Sequence, residues 1–196
     1  MRKEQFWRWF KRNKKQIEKF IETKSNKDYS IYNKLTSKIK KVNELLIPEI
    51  TMTNDKYELV ISCGGISEGI QGVQNLYDCA PKFDHWIITK FRQPKKKFDL
   101  NFNGLDYKYD DIKVWRKFDL DNEKVDIAML IKNYNEKDDR FKSLAFLYLD
   151  HFIGEYNTMT RVGHIDFLSW EDLEKNKHID SISLIDLKNE ISEKLY

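Results

Sequence analysis

The sequence has few residues of the kinds that build linkers and covalent frameworks: three prolines, seven glycines and two cysteines among 196 residues. So little proline and glycine excludes long disordered linkers. Cys63 and Cys79 are too few for a disulfide framework, and we expect both to be buried thiols. No run approaches the roughly 18 apolar residues of a membrane span, and no apolar leader opens the sequence. We therefore expect a cytoplasmic protein without a membrane partner.

Hydrophobic residues make up 40% of the chain and aromatic residues 14%, which is enough for a single domain with a substantial core across 1–196. The charge is uneven. Residues 1–46 carry fourteen Lys and Arg against five Asp and Glu, a net charge of +9, which leaves −6 for the remainder. This asymmetry favours an anionic partner for the N-terminal segment: either nucleic acid or the acidic body of the same protein.

A strand-helix-strand unit is predicted over 57–91, and the rest of the fold is expected to form around it. Residues 57–62 are β-prone and precede Gly64-Gly65. Apolar residues then recur at helical spacing, and Ala80-Pro81 ends the pattern. Residues 86–91 supply a second β-prone run, so the pattern is typical of a crossover whose helix packs on the sheet.

Two amphipathic helices are predicted in the N-terminal segment 1–47, packed as a hairpin on a core of 57–196. The first contains an aromatic and basic cluster: Trp7, Arg8, Trp9, Lys11 and Arg12. These residues could stack on nucleic-acid bases or anchor at a membrane surface. The alternative is that the tryptophans dock the helix on the sheet, and we favour it because aromatic stripes at helical spacing are usually core.

The C-terminal half predicts a hairpin around Asn103-Gly104, strands over 112–118 and 125–131, a helix that Gly154 ends, a strand over 161–168 and a final helix capped by Ser183. Together these elements predict an α+β fold. We expect a mixed, largely antiparallel sheet of about six strands, with two strand-helix-strand units, the N-terminal helical hairpin and a C-terminal helix.

Few residues suggest catalysis. Cys63 lies between a strand and a helix, where the helix dipole could activate its thiol. The densest titratable group is His151, Glu155, His164 and Asp166, which could in principle converge on a metal or form an acid-base site. No metal-binding or phosphate-binding motif supports this idea, so we predict no metal and no cofactor. Glu155 is better explained by hydrogen bonds to backbone donors or to Arg161.

Three segments carry a resemblance: Trp7-Arg8-Trp9-Phe10, then Ala80-Pro81 with Trp86 and Phe91-Arg92, and finally the run 149–155. The last segment is similar to a Leu-Asp-x-x-Leu-Gly-Glu motif that leads into a strand, with Ile153 in place of the second leucine. Together they resemble a family of uncharacterised bacterial proteins. The resemblance implies a cytoplasmic bacterial domain of unknown function and transfers no activity.

Three functions follow from these patterns. The first is a non-catalytic protein-interaction or regulatory protein, similar in role to immunity proteins, because the common catalytic signatures are missing. It requires an apolar or charged surface patch. The second is a hydrolase-like enzyme with a site near Glu155 and His164, which must then lie within hydrogen-bonding reach. The third is nucleic-acid binding through the first helix, which we favour less.

Overall fold

The structure is a computed structural model that describes residues 2–23, 28–95, 99–171 and 180–195. The chain divides into two compact units, Met1–Arg92 and Gln93–Tyr196, called unit 1 and unit 2 below. Each sheet lies within one unit. The single domain inferred from the sequence stays a prediction.

Unit 1 consists of helices and a three-stranded sheet. Its elements in chain order are α1 (Arg2–Glu22), α2 (Ser30–Lys40), β1 (Ile47–Thr53), β2 (Lys56–Ser62), α3 (Ile70–Tyr77) and β3 (Trp86–Lys90). The strand order is β1-β2-β3. Strand β1 pairs antiparallel with β2 and β3 pairs parallel with it, with Tyr57 opposite Trp86. The crossover predicted over 57–91 is therefore confirmed.

The apolar stripe of α1 is buried in the core of unit 1, as its helical spacing predicts. Phe10 is fully buried, and its ring lies edge-on to the ring of Trp86 at a centroid distance of 4.9 Å. The second helix is shorter than expected because it ends at Lys40, and Val42 and Leu46, which continue its apolar spacing, lie in the turn before β1. Pro48 lies inside that strand, which is allowed because β1 is an edge strand and needs no ladder donor there.

Unit 2 contains the other strands and helices. They are β4 (Leu100–Phe102), β5 (Leu105–Tyr107), β6 (Ile112–Asp119), β7 (Lys124–Ile131), α4 (Asp139–Leu149), a π-helical turn (Asp150–Gly154), α5 (Glu155–Arg161), β8 (Val162–Ser169), β9 (Ile182–Ser183) and α6 (Leu184–Lys194). Strands β4 and β5 form a hairpin, and the larger sheet has the order β8-β7-β6-β9. Strand β8 is parallel to β7, which confirms the second strand-helix-strand unit.

One side of the four-stranded sheet faces the core of unit 2. Val114, Ile127 and Met129 are buried there together with Leu144 of α4 and Leu187 of α6. The opposite side of the sheet carries the alternate residues of each strand, because successive side chains of a strand point to opposite faces. That opposite side is called the outer face below, and it consists of Lys113, Trp115, Lys117, Asp126, Ala128, Leu130, His164, Asp166 and Leu168.

Gly154 ends the helical run that begins at Asp139, as predicted, but a second helix that the sequence does not predict follows it directly. Its φ of +90° interrupts the helix, but the chain returns to helical geometry at Glu155 and continues to Arg161. The π-helical turn before it buries Asp150, Phe152 and Ile153. A wide turn of this kind accommodates an extra residue inside a longer helix, which the sequence pattern does not reveal.

The α+β class is confirmed, with helices and nine strands in the described residues. The strands divide over three sheets of three, two and four strands, instead of the one sheet of about six strands that the sequence suggests. Among the described helices, none is both long and apolar enough to cross a membrane.

Candidate interaction surface

Trp7 and Trp9 occupy different environments on α1. The side chain of Trp7 is only 4% exposed, and its ring nitrogen donates a hydrogen bond of 3.0 Å to the backbone carbonyl oxygen of Leu76. Trp9 is half-buried. Because a buried ring offers no face to a base, Trp7 serves the packing of unit 1, as the packing alternative expects.

The basic residues beside these tryptophans point to solvent. Arg8, Lys11 and Arg12 are all exposed, on the side of α1 away from its buried stripe. A row of cations on a helix surface supplies charge for binding an anion but no stacking platform. The nucleic-acid hypothesis stays a prediction that rests on the basic residues of the N-terminal segment and on the half-buried Trp9.

Cys63 is buried directly after β2, whereas Cys79 is exposed just after α3, which corrects the expectation that both are buried. Gly69 packs so closely on Cys63 that a Cβ atom built on the glycine would lie 2.4 Å from the Cβ of the cysteine. Gly64 and Gly65 both have positive φ, so they form the turn that leaves β2. The segment therefore has a structural explanation that requires no ligand.

His164 and Asp166 lie side by side on β8. The His164 Nε2 atom is 3.0 Å from a carboxylate oxygen of Asp166, and both side chains are more than 60% exposed. The backbone N–H of His164 donates a hydrogen bond of 2.7 Å to the Asp126 carboxylate. These three residues form a polar corner of the outer face.

Glu155 and His151 do not join that corner. Glu155 is fully buried at the start of α5, and His151 is half-buried, with its carbonyl oxygen accepting a hydrogen bond of 2.6 Å from the N–H of Lys95. Among the described residues, no hydrogen bond joins His164 to either of them. The part of the chain that is described also contains no group of three or more His, Cys, Asp or Glu residues placed to hold a metal ion.

The outer face of unit 2 has an apolar centre. Trp115 on β6 lies opposite Ala128 on β7, and Ala128 lies beside Asp166 on β8. In the next row Leu130 lies beside Leu168. Trp115 and Leu168 are 37% and 38% exposed, whereas Ala128 and Leu130 between them are buried. The middle of the outer face is therefore apolar, with two large, partly exposed side chains, Trp115 and Leu168, on either side of the buried Ala128 and Leu130.

Charged residues surround this centre. Lys113 and Lys117 lie on either side of Trp115 along β6, and Lys117 faces Asp126 across the strand pair. The Lys113 ammonium group also lies 4.9 Å above the ring of Trp170. An apolar centre with a charged rim is the usual anatomy of a protein-binding surface.

His164 and Asp166 are candidate site residues by their sequence pattern, but Trp115 is not among the predicted site residues. A signal was present, because the alternation in the run 113–117 places a tryptophan on the same side of the strand as two lysines. A solvated strand face normally carries polar residues, so a tryptophan in that position departs from the usual pattern.

Comparisons with protein-family models, with curated proteins and with solved structures found no match to this chain. The features that bear on function are therefore those of its own residues: the outer face in unit 2 and the burial of Cys63 and Glu155.

Proposed function

We propose that this chain is a non-catalytic protein-interaction protein that binds its partner through the outer face of unit 2. The observation that carries the proposal is the row formed by Trp115 and Ala128, with Leu168 beside it, at the surface of the sheet. Tryptophan is enriched among the residues that contribute most to binding in protein interfaces.

The rim indicates the chemistry of the partner. Lys113 and Lys117 are exposed on both sides of Trp115, which suits a partner surface with an apolar pocket between carboxylates. Such charges raise the association rate and orient the partner, while the tryptophan contributes most of the affinity. The partner is therefore a protein that carries Asp or Glu residues next to an apolar depression.

A regulatory, immunity-like role in the cytoplasm is part of the same proposal. Such proteins act by occupying the surface of another protein, so they need a docking surface and no catalytic group. The two cysteines form no disulfide, which is typical of proteins in reducing compartments. The hydrolase-like alternative has no support, because Glu155 is buried, His164 is exposed and no hydrogen bond joins them among the described residues.

The experiment compares four full-length baits in a lysate of the source cells: wild type, Trp115→Ser, the pair Lys113→Glu with Lys117→Glu, and Leu120→Ser as the control. Leu120 is the most exposed large apolar residue among those described in unit 2, but it lies outside the outer face. Each candidate partner is then purified, and its affinity for all four chains is measured by calorimetry.

We expect one protein to bind wild type and the Leu120→Ser variant equally, and to bind Trp115→Ser about 30-fold or more weakly, since loss of a central tryptophan costs about 2 kcal/mol or more. The lysine reversal should slow association, and salt should weaken wild-type binding. Equal binding to all four chains would overturn the proposal. A concentration-dependent dimer that Trp115→Ser abolishes would also overturn it, because a second copy would then occupy the face.

A further inference from the structure

We infer that strand β3 of unit 1 binds an extended segment of a partner protein, which adds a fourth strand to the three-stranded sheet. Strand β3 pairs only with β2, so its other side is an open edge in the part of the chain that the structure describes. This site lies in unit 1, and the inference does not depend on the proposed function of the outer face in unit 2.

The backbone of β3 presents unpaired hydrogen-bonding groups at this edge. In a parallel pair, alternate residues of a strand bond to the neighbouring strand, and the residues between them point the other way. The N–H of Tyr57 donates to the carbonyl oxygen of His85 at 3.0 Å, which places the backbone groups of Trp86 and Ile88 on the open side. Within the described residues, no hydrogen bond reaches those backbone groups. Such a row of donors and acceptors is matched by another extended chain.

The opposite edge of the same sheet is protected. In β1, Pro48 has no N–H to offer, and its carbonyl oxygen already accepts a hydrogen bond of 3.1 Å from the Tyr32 hydroxyl. Proline is one of the devices that prevent an edge strand from pairing with other chains. Strand β3 contains no proline, and its Ile87 is 40% exposed, so this edge of the sheet is open to a further strand.

A groove of about 680 Å³ runs beside β3. Its apolar wall comes from the end of α3, the following loop and the strand itself, through Tyr77, Phe83, Trp86 and Ile88. Residues that lie opposite each other in neighbouring strands point to the same face of a sheet. A strand added beside β3 would therefore direct every second side chain into this groove.

The occupant that fits is an extended segment with apolar residues at alternate positions. The charged residues of the lining have mixed signs, Asp78, Lys82 and Asp84, so apolar contacts and not charge select the segment. A second copy of β3 fits less well. In that second copy, the ring nitrogen of Trp86 donates a hydrogen bond of 2.7 Å to Glu18, and the side chain is buried in its own unit. It therefore cannot enter the groove of the first copy.

The first test uses a synthetic seven-residue peptide that alternates threonine with valine and phenylalanine, added to the full-length protein and followed by NMR. Two further peptides carry N-methyl groups on one or the other alternating set of amides. Methyl groups on the set that faces β3 remove its hydrogen bonds, whereas the same number of methyl groups on the other set leaves them intact.

We expect the unmodified peptide to shift the amide resonances of Trp86 and Ile88 and to slow their hydrogen exchange. One methylated peptide should bind about tenfold or more weakly, and the other should bind with nearly the unmodified affinity, because only one set of amides faces the edge. Equal binding of the two methylated peptides, no binding, or shifts confined to residues away from β3 would overturn the inference.

The second test changes the protein. Ile88→Pro removes the outward N–H at a position where an edge strand tolerates proline, and Ile88→Thr is the matched control that keeps the N–H. Ile87→Thr changes the opposite face of the strand. We expect peptide binding to be lost in Ile88→Pro and retained in both threonine variants. If Ile88→Pro does not fold, the comparison of methylated peptides decides. A wild-type dimer that Ile88→Pro disrupts would show that a second copy occupies the edge, and would overturn the inference.

Discussion

Trp7 and Leu76 are joined by a hydrogen bond of 3.0 Å from the indole nitrogen to the backbone carbonyl oxygen, although 69 positions separate them in the sequence. Leu76 lies in the last turn of α3, where carbonyl groups have no partner inside the helix. The bond therefore satisfies a helix terminus and fixes α1 against α3. It explains why a residue that could have stacked on a nucleic-acid base belongs to the core.

Replacing Trp7 by phenylalanine should lower the free energy of unfolding by about 1 to 3 kcal/mol, because the carbonyl of Leu76 then stays buried without its donor. Chemical denaturation followed by circular dichroism measures the change. Trp9→Phe is the control, since Trp9 is half-buried and its ring nitrogen forms no hydrogen bond within the described residues. Equal losses in the two variants would contradict the role assigned to the bond.

Tyr148 of α4 fixes the hairpin formed by β4 and β5. Its hydroxyl donates a hydrogen bond of 2.6 Å to the carbonyl oxygen of Tyr107 and accepts one of 3.2 Å from the N–H of Leu100. Tyr148→Phe should lower the free energy of unfolding by about 1 to 3 kcal/mol and increase hydrogen exchange at Leu100. Tyr134→Phe should change it by less, because the Tyr134 hydroxyl has no such bond among the described residues. Unchanged exchange at Leu100 would count against this role.

The raised pKa of Tyr148 predicts that the protein loses stability in alkali. Burial raises the pKa of Tyr148 to about 12, because the charged phenolate is disfavoured in the core. An unfolded tyrosine ionises near pH 10, so the unfolded state releases its proton first as the pH rises. The contribution of this group to stability is complete below about pH 10 and is lost as the pH rises towards 12. Tyr148→Phe should show a shallower decline than wild type over that interval in denaturation experiments.

A salt bridge between Arg116 of β6 and Glu190 of α6 predicts the response to acid. The two side chains are 2.6 Å apart and about four-fifths buried, and the hydrogen bond from Arg116 lowers the pKa of Glu190. A lowered pKa adds stability above the unfolded value, and this stability is lost as the pH falls through the folded value.

Glu190→Gln should therefore cost about 1 to 2 kcal/mol at pH 7 and much less near pH 3, where the wild-type carboxylate is also becoming protonated. Denaturation curves at the two pH values measure the difference. Glu193→Gln is the control on the exposed side of the same helix. A cost that does not depend on pH would contradict the salt bridge as its cause.

The sequence predicts the elements with strong local signals and fails where tertiary packing decides. The crossover over 57–91 and the Asn103-Gly104 hairpin are recovered, because strand and turn residues specify them locally. Strand β1 is missed because the apolar residues just before it, Val42 and Leu46, continue the helical spacing of α2, and only pairing with β2 shows that a strand follows. Gly154 correctly predicts a helix end, but neither the π-helical turn before it nor the short helix after it has a local signal in the sequence.

The candidate site shows a similar limit. Alternation places His164 and Asp166 on one side of a strand, and the structure brings their side chains together. The convergence of Glu155 with them depends on how far apart a helix and a strand lie, which residue spacing does not specify. The exposed Trp115 is detectable only by asking which side of β6 faces the core.

Gly163 gives a further prediction about the polar corner of the outer face. A Cβ atom built on Gly163 would lie 2.4 Å from a carboxylate oxygen of Asp126, the oxygen that accepts the hydrogen bond from the N–H of His164. In Gly163→Ala the Asp126 carboxylate must move away from the new methyl group, which weakens its hydrogen bond with the N–H of His164. We expect the free energy of unfolding to fall by about 0.5 to 1.5 kcal/mol, the net contribution of one hydrogen bond, because the carboxylate itself can move aside.

The matched test introduces the same change after Asp126 has been replaced by alanine. Without the carboxylate, the nearest remaining atom outside the neighbouring residues is the carbonyl oxygen of Val125 at 3.8 Å, which is an ordinary contact. Gly163→Ala should then cost little or even stabilise the strand by about 0.5 kcal/mol, through lower entropy of the unfolded chain. A double-mutant cycle of unfolding free energies measures the coupling between the two positions. Additive losses would show that the close approach of Gly163 to Asp126 does not cause the effect, and that β8 requires glycine there for another reason.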